Sequence, residues 1–436
     1  MSKMSKQENP NGACIEKGEW TPLSLPPPAT TNLVFTPSGA GADNALTFHM
    51  VGCSGDPTVP GAGLAVAAGM ASQIANPGSG PAVAPGFLYH LGDLTYAPKG
   101  HDVTPGMWNT QFYAQYASYK NKPIFAIAGN HDGKTGSTTE ASQITHFLRN
   151  MCGTAGKVSP DNTADPSRTE TAQPYPYWRL DTPIAYIIGL FANVSNGGVL
   201  DDPLAHGNFD KGPQYQWLVD QLTFCREQNA KSPKAVLLAL HYPPYNGTAD
   251  FAQRGDPAFG ADNSYPNAVP IGMVLQAAYD ASGQIPDAVF SAHAHLYQRL
   301  TVSYADNKGT LIRQVPHFVA GCGGHTELEL MAASCTKDVP PVAFPTKAFD
   351  LFEDGHPPAG LTAPPNATVT VDFWADGVNQ NNQPYGFLRV TIAASKLLCE
   401  FFATPCDSSG TPVNPGAVVL TDSCTVNLLT HLLVSR

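Results

Sequence analysis

The sequence predicts an α/β fold: a parallel sheet that gathers its chemistry at the carboxyl ends of the strands. Three observations carry this. Five apolar runs of strand length each lead straight into a residue of metal-ligating type: Ala45–Gly52 into Cys53, Gly86–Gly92 into Asp93, Pro123–Gly129 into Asn130, Ala235–Leu240 into His241, and Asp287–Ala292 into His293. Short buried strands have this composition, and open α/β sheets place their active groups just beyond the carboxyl ends of strands. The first three runs alternate with helix-compatible segments, a βαβαβ pattern that implies parallel strands with right-handed crossovers. Five ligand-type residues on one such rim point to a metal-dependent hydrolase.

The elements follow in order. After the strand at 45–52, the Ala-rich stretch 61–75 suits a helix; the strand at 86–92, a helix near 107–121 and the strand at 123–129 come next. A helix is expected at 139–151 within a polar, irregular stretch, then paired strands at 177–180 and 184–191. In 213–229, Tyr215, Leu218, Leu222 and Cys225 recur at helical spacing. The strand at 235–240 opens a long loop to about 269, followed by a helix at 270–282 and the strand at 287–292. Two more strands are read at 297–304 and 312–320, one strand-like piece at 367–374 inside the irregular stretch 323–384, and a closing hairpin at 386–393 and 397–403. The expected organisation is a Pro-rich arm over 1–44 containing Pro26-Pro27-Pro28, a catalytic domain over 45–322, and an irregular insertion with C-terminal strands over 323–436 that complete the same domain.

Bulk properties narrow the function. The 436-residue chain is 42% hydrophobic, enough for a sizeable core, and 14% charged, below the roughly 25% of an average globular protein. Its 40 glycines and 40 prolines put many residues in turns. A net charge of −11 argues against binding nucleic acid backbones, which demand basic patches. It leaves an anionic substrate open, because bound cations dominate a local field. Nine cysteines without a CxxC pair argue against a zinc knuckle or thioredoxin-type site, and a disulfide among Cys399, Cys406 and Cys424 stays open. Residues 1–10 are polar with no apolar h-region, so no Sec-type signal is visible, and the compartment stays open between cytoplasm and export by another route. No run reaches the ~18 apolar residues of a membrane span.

The candidate ligands have distinct chemistries. His293 and His295 stand one residue apart at a strand end, where i and i+2 point to the same side. Asp93 offers a carboxylate that bridges two cations, and Tyr96, three residues on, a phenolate suited to a ferric ion. Asn130 supplies a neutral amide oxygen after the tight turn that Gly129 permits, and His131 sits beside it. His241 opens His241-Tyr242-Pro243-Pro244-Tyr245, where two prolines stiffen the loop. Singly, each has an ordinary explanation as a helix cap, a turn residue or a histidine on a wet loop; their conjunction in this order does not. His49 and His90 lie within strands and read as core histidines. His101 and Asp102 have no clear geometry, while His325, Tyr245 and Arg254 are candidate substrate contacts.

The order Gly92-Asp93-x-x-Tyr96, Gly129-Asn130-His131-Asp132, His241, His293-x-His295 resembles the calcineurin-like metallophosphoesterases, and the position of Tyr96 looks like their purple acid phosphatase branch. Gln216-Trp217-Leu218, His295-Leu296-Tyr297-Gln298-Arg299, Gly321-to-Gly324 and Tyr385-Gly386-Phe387 extend the likeness over about 45–395. The resemblance implies a two-sheet α/β/β/α sandwich with two adjacent metals, iron with zinc, manganese or a second iron. Asp93 would bridge them, Asn130, His241 and His293 would complete one site, and Tyr96 and His295 would belong to the other. His131 would contact the phosphate and assist the leaving group. The implied reaction is hydrolysis of a small phosphoric ester, most naturally a monoester, by a metal-bound hydroxide attacking phosphorus in line. A phosphodiesterase acting on nucleotides or phospholipid headgroups is the alternative. A third reading is a degenerate member that binds phosphate or a partner without turnover.

One departure matters. Where the family has an aspartate after its first strand, this chain has Cys53, and Gly55 stands where the wider superfamily has a histidine. Three readings are open: Cys53 is a thiolate ligand, Asp56 swings in as an oxygen donor, or the first site is weak and one metal is bound. A small buried residue that binds nothing is the structural alternative.

Overall fold

The computed structural model describes residues 7–8, 14–15, 30–36, 45–56, 61–77, 84–98, 101, 103–132, 144–153, 155–169, 172–191, 213–247, 271–306, 308–326, 328–330, 367–375, 385–405, 413–414 and 416–435. Arg254, Asp102 and residues 139–143 of the expected helix at 139–151 lie outside them.

The strands in chain order are β1 Gln7–Glu8, β2 Cys14–Ile15, β3 Asn32–Val34, β4 Leu46–Val51, β5 Leu88–His90, β6 Ile124–Ala126, β7 Trp178–Asp181, β8 Ala185–Gly189 and β9 Ala235–Ala239. They continue with β10 Ala288–Ser291, β11 Tyr297–Ala305, β12 Leu311–Ala320, β13 Ala367–Ala375, β14 Gly386–Ala393, β15 Lys396–Ala403, β16 Val419–Asn427 and β17 Leu432–Ser435. Among the described residues, β1 and β2 pair alone, and the others form two large sheets. One is eight-stranded, in the order β13-β11-β12-β10-β9-β8-β7-β3; the other is seven-stranded, β17-β16-β15-β14-β4-β5-β6. Within the first, β8, β9, β10 and β12 run parallel; within the second, β4, β5 and β6 do. Every run that ended on a ligand-type residue therefore pairs with a parallel neighbour and is buried on both faces, which is why it read as continuously apolar, although β6 stands at the edge of its sheet.

The two sheets pack face to face. Phe48, Phe87, Tyr89 and Phe125 of the seven-stranded sheet meet Trp178, Leu237, Phe290 and Phe318 of the other in one core. Burying each such side chain contributes roughly 2 kcal/mol relative to leaving it exposed. The outer face of the eight-stranded sheet is covered by α3 Pro213–Asn229 and α4 Ile271–Ser282. That of the seven-stranded sheet is covered by α1 Gly61–Ala75 and the Trp108–Tyr119 segment. The result is the α/β/β/α sandwich.

Two features differ from the sequence expectations. The helix expected near 107–121 is α2 Pro105–Met107, a π-helical turn Trp108–Tyr113 and a 3-10 turn Ala117–Tyr119. The wider turn, with Ala114 N–H donating to Asn109 C=O, buries Trp108, Gln111, Phe112 and Tyr113 together on the sheet side. Strands β16 and β17 carry no strong alternation in sequence. They add to the hairpin edge and are pinned there by charge: Arg299 of β11 donates to both oxygens of Asp422 of β16, and Tyr297 Oη donates to Asp422 Oδ2 at 2.8 Å. Cys399 and Cys424 stand opposite each other on β15 and β16. Among the described residues, no helix is long and apolar enough to cross a membrane.

Candidate metal centre

The carboxyl ends of the parallel strands turn sharply. Cys53, Asp93 and His293 have φ of 52°, 56° and 64°, three of the five non-glycine residues with positive φ among the described residues. Each such conformation costs about 1–3 kcal/mol and persists only where the surroundings impose it. Here it redirects side chains from three strands into one space. The two sheets are laced together at this rim: Gly52 N–H donates to Ala320 C=O, Gly323 N–H to Gly52 C=O and His325 N–H to Cys53 C=O, at 3.0, 3.0 and 3.1 Å. A Cβ on Gly323 would stand 2.3 Å from Gly52 O, so the crossing requires glycine.

Two ligand groups result, sharing one residue. Asp93, His241 and His293 form one; Cys53, Asp93 and His295 form the other, and within each the ligand atoms lie within 4.8 Å of one another. Asn130 Oδ1 sits 3.0 Å from both His241 Nε2 and His293 Nδ1. Tyr96 Oη donates to Asp93 Oδ2 at 3.0 Å and lies 3.0 Å from His295 Nε2. Asp93 divides its two oxygens: Oδ1 accepts the His131 N–H at 2.7 Å, while Oδ2 faces His241 Nε2 at 3.1 Å and Cys53 Sγ at 3.9 Å. Oδ2 thus stands where the two groups meet.

The donor set fits cations. His241 Nδ1 donates to Leu91 C=O at 2.8 Å, since a carbonyl only accepts, which leaves Nε2 to point at oxygens of Asp93 and Asn130. Burial opposes the charge on Asp93, but the surrounding His241, His131 and His293 hold its carboxyl well below the usual range. Burial and the facing His241 keep His293 well below its ordinary value, hence neutral and able to ligate. Burial first, then Asp93, push Cys53 and Tyr96 up, so both keep their protons until a cation draws them off.

The expected site residues divide as follows. Cys53, Asp93, Tyr96, Asn130, His241, His293 and His295 come together. His131 and His325 flank them, with rings 4.3 and 3.9 Å from that of Tyr96, and His325 stacks on His295 at 4.6 Å. Asp56 belongs to neither ligand group: its Oδ2 accepts from Thr326 N–H at 3.0 Å and Thr326 Oγ1 at 2.7 Å. Tyr245 is buried in the helix-side core, its ring 5.1 Å from His317. His49 and His90 are core histidines, each pushed down to about 3 by burial. His49 pairs with Tyr119 and Gln73; His90 accepts from Gly92 N–H and faces Ser54 Oγ at 2.7 Å.

Two positioning residues escaped the sequence reading. Asp132 accepts four backbone N–H groups, from Asp93, Leu94, Thr95 and Gly129, at 2.7–3.1 Å. It ties the Asp93 turn to the Asn130 turn, and its only sequence signal was its place in Gly129-Asn130-His131-Asp132. Gln111, aimed inward by the π-helical turn, clamps the Tyr96 backbone, accepting its N–H at 2.7 Å and donating to its C=O at 2.9 Å. No periodicity announces a π turn. Gly129 is part of the same brace: a Cβ there would lie 2.1 Å from Asp93 Oδ1 and 2.2 Å from Asp93 N. Gly129→Ala is expected to displace Asp93 and weaken metal binding about 10–100-fold, the range for losing a ligand's support, in a metal titration followed by calorimetry. Unchanged affinity would remove the steric argument.

The model of the calcineurin-like phosphoesterase family matches residues 74–297 of the chain. Among solved structures the chain is similar to PhoD, at 13% identity over 94% of this chain and 73% of that one, with a TM-score of 0.46. It is also similar to GAP50, the anchor in the inner membrane complex of Plasmodium, at 10% identity over 87% and 89% of the chains, with a TM-score of 0.45. No curated protein matches.

Proposed function

Because this chain belongs to the calcineurin-like phosphoesterase family, we propose that it hydrolyses phosphoric monoesters at a two-metal site in which Asp93 is the bridging ligand. The observation that carries the reading is the meeting of the two ligand groups at Asp93. On this reading Asn130, His241 and His293 complete one position, and Tyr96 and His295 belong to the other. Bound there, the metals supply a nucleophile at neutral pH by acidifying water, and they neutralise charge on attacking and leaving oxygens.

The chain's own residues do the rest. The rings of His131 and His325 lie against Tyr96; on this reading their N–H groups bind the non-bridging phosphoryl oxygens, and His131 donates a proton to the departing alkoxide. The N–H of His131 holds Asp93 Oδ1, while Oδ2 faces His241 and Cys53 of the two ligand groups. A monoester dianion suits this arrangement, because two cations would meet its charge and two imidazoles would hydrogen-bond its oxygens.

The test is hydrolysis of p-nitrophenyl phosphate and of bis(p-nitrophenyl) phosphate by the metal-reloaded protein. Faster turnover of the monoester is expected, with loss of activity in His241→Ala. A faster diester reaction makes the enzyme a phosphodiesterase. Metal uptake without turnover of either ester makes it a binding protein, and full activity in His241→Ala refutes the site assignment.

A further inference from the structure

We propose that Cys53 is a thiolate ligand of the metal position it shares with Asp93, Tyr96 and His295, and that this position accordingly takes a borderline divalent ion such as zinc or ferrous iron rather than a hard ferric ion. The inference rests on the two-metal reading above and specifies one of its two positions.

Four observations carry it. The sulfur belongs to a ligand group with Asp93 and His295, 3.9 Å from Asp93 Oδ2. The His293 N–H donates to Sγ at 3.2 Å, and an N–H aimed at sulfur stabilises the thiolate and orients its lone pairs, as outer-shell donors do for other ligands. The backbone of Cys53 is held in its unfavourable conformation, φ 52°, from both sides. Its N–H donates to Gly92 C=O and its C=O accepts from His325 N–H. A residue that only filled space would have no need of that strain. Finally, the competing oxygen donor is engaged elsewhere, since Asp56 Oδ2 accepts twice from Thr326 and stands 3.9 Å from His325 Nδ1.

The donor set of one sulfur, one imidazole, one carboxylate and one phenol oxygen is that of a borderline cation. Binding replaces the S–H bond with a sulfur–metal bond and releases the proton to solvent. The exchange needs no oxidant or reductant. Cys225, Cys322, Cys399 and Cys424 are also buried thiols, but none belongs to a ligand group, so they serve as internal controls.

The experiment is to strip the full chain with chelator, reload it with cobalt(II), count cobalt per chain, and record the near-ultraviolet sulfur-to-cobalt charge-transfer band. Two cobalt ions with a band that Cys53→Ser abolishes while keeping bound cobalt is the expected result. Two cobalt ions without the band, or a band that survives in Cys53→Ser, overturns the inference and leaves the two-metal reading standing. Failure to bind cobalt overturns both. Should Cys53→Ser not fold, X-ray absorption of the zinc-loaded native chain decides, with a Zn–S distance of about 2.3 Å expected and its absence fatal. Cys53→Asp, loaded with ferric iron, is further expected to gain a visible tyrosinate–ferric band that the native chain lacks. Equal bands in both would contradict the proposed preference.

Discussion

Asp132→Ala is expected to destabilise the protein by roughly 4 kcal/mol and to empty the metal centre. The carboxylate is buried and accepts four backbone N–H groups from two neighbouring turns. Removing it orphans all four, and a buried donor left unpaired costs about 1–3 kcal/mol, less than additively where neighbours relax together. The loss falls on the turns that hold Asp93 at φ 56° and set Asn130 opposite His241. Thermal unfolding should shift down by several degrees and metal content should fall toward zero, although Asp132 belongs to neither ligand group. Asp132→Asn should resemble the alanine variant, because one edge of an amide must face N–H donors. Native metal content in Asp132→Ala would show that the turns hold without it.

Asp93→Asn is expected to act chiefly on the metals. Asparagine tolerates the left-handed conformation that position 93 adopts, so the backbone should be kept. The change removes the anion that faces His241 and that the surrounding histidines stabilise, so the metal-free protein should melt somewhat lower than the native metal-free protein. Both metal positions also lose their shared anion. If the metals supply about 4 kcal/mol of transition-state stabilisation, hydrolysis should fall by roughly 10³-fold or more. Elemental analysis and the p-nitrophenyl phosphate rate decide it. Two metals retained in Asp93→Asn would end the bridging assignment, and an unchanged or higher melting point of the metal-free variant would show that the pairing with His241 adds nothing to stability.

Both variants act at or beside strained strand ends. Cys53, Asp93 and His293 all occupy conformations that favour glycine or asparagine, and all three project into the same space. The fold spends stability at these strand ends and recovers it in the sheet-to-sheet core, where Phe48, Trp178 and Phe290 are fully buried.

Much of this was legible in the chain. Strands buried on both faces are continuously apolar, and the residue after each is freed from packing to do chemistry. Period and position therefore exposed the parallel strands, the α/β class and the residues from Asp93 to His295 that gather at one rim. What the sequence could not decide depended on partners distant in the chain. Whether Cys53 or Asp56 faces the centre turns on Thr326, some 270 positions from Asp56. The inward aim of Gln111 turns on a π-helical turn that no apolar period encodes. The place of Val419–Asn427 between Lys396–Ala403 and Leu432–Ser435 turns on Arg299, reached across the sandwich. The sequence by itself determined which residues end on a common rim, because strand burial writes a local pattern. Only the tertiary structure decided which of them face one another, because hydrogen bonds and close packing between remote segments leave no periodic trace.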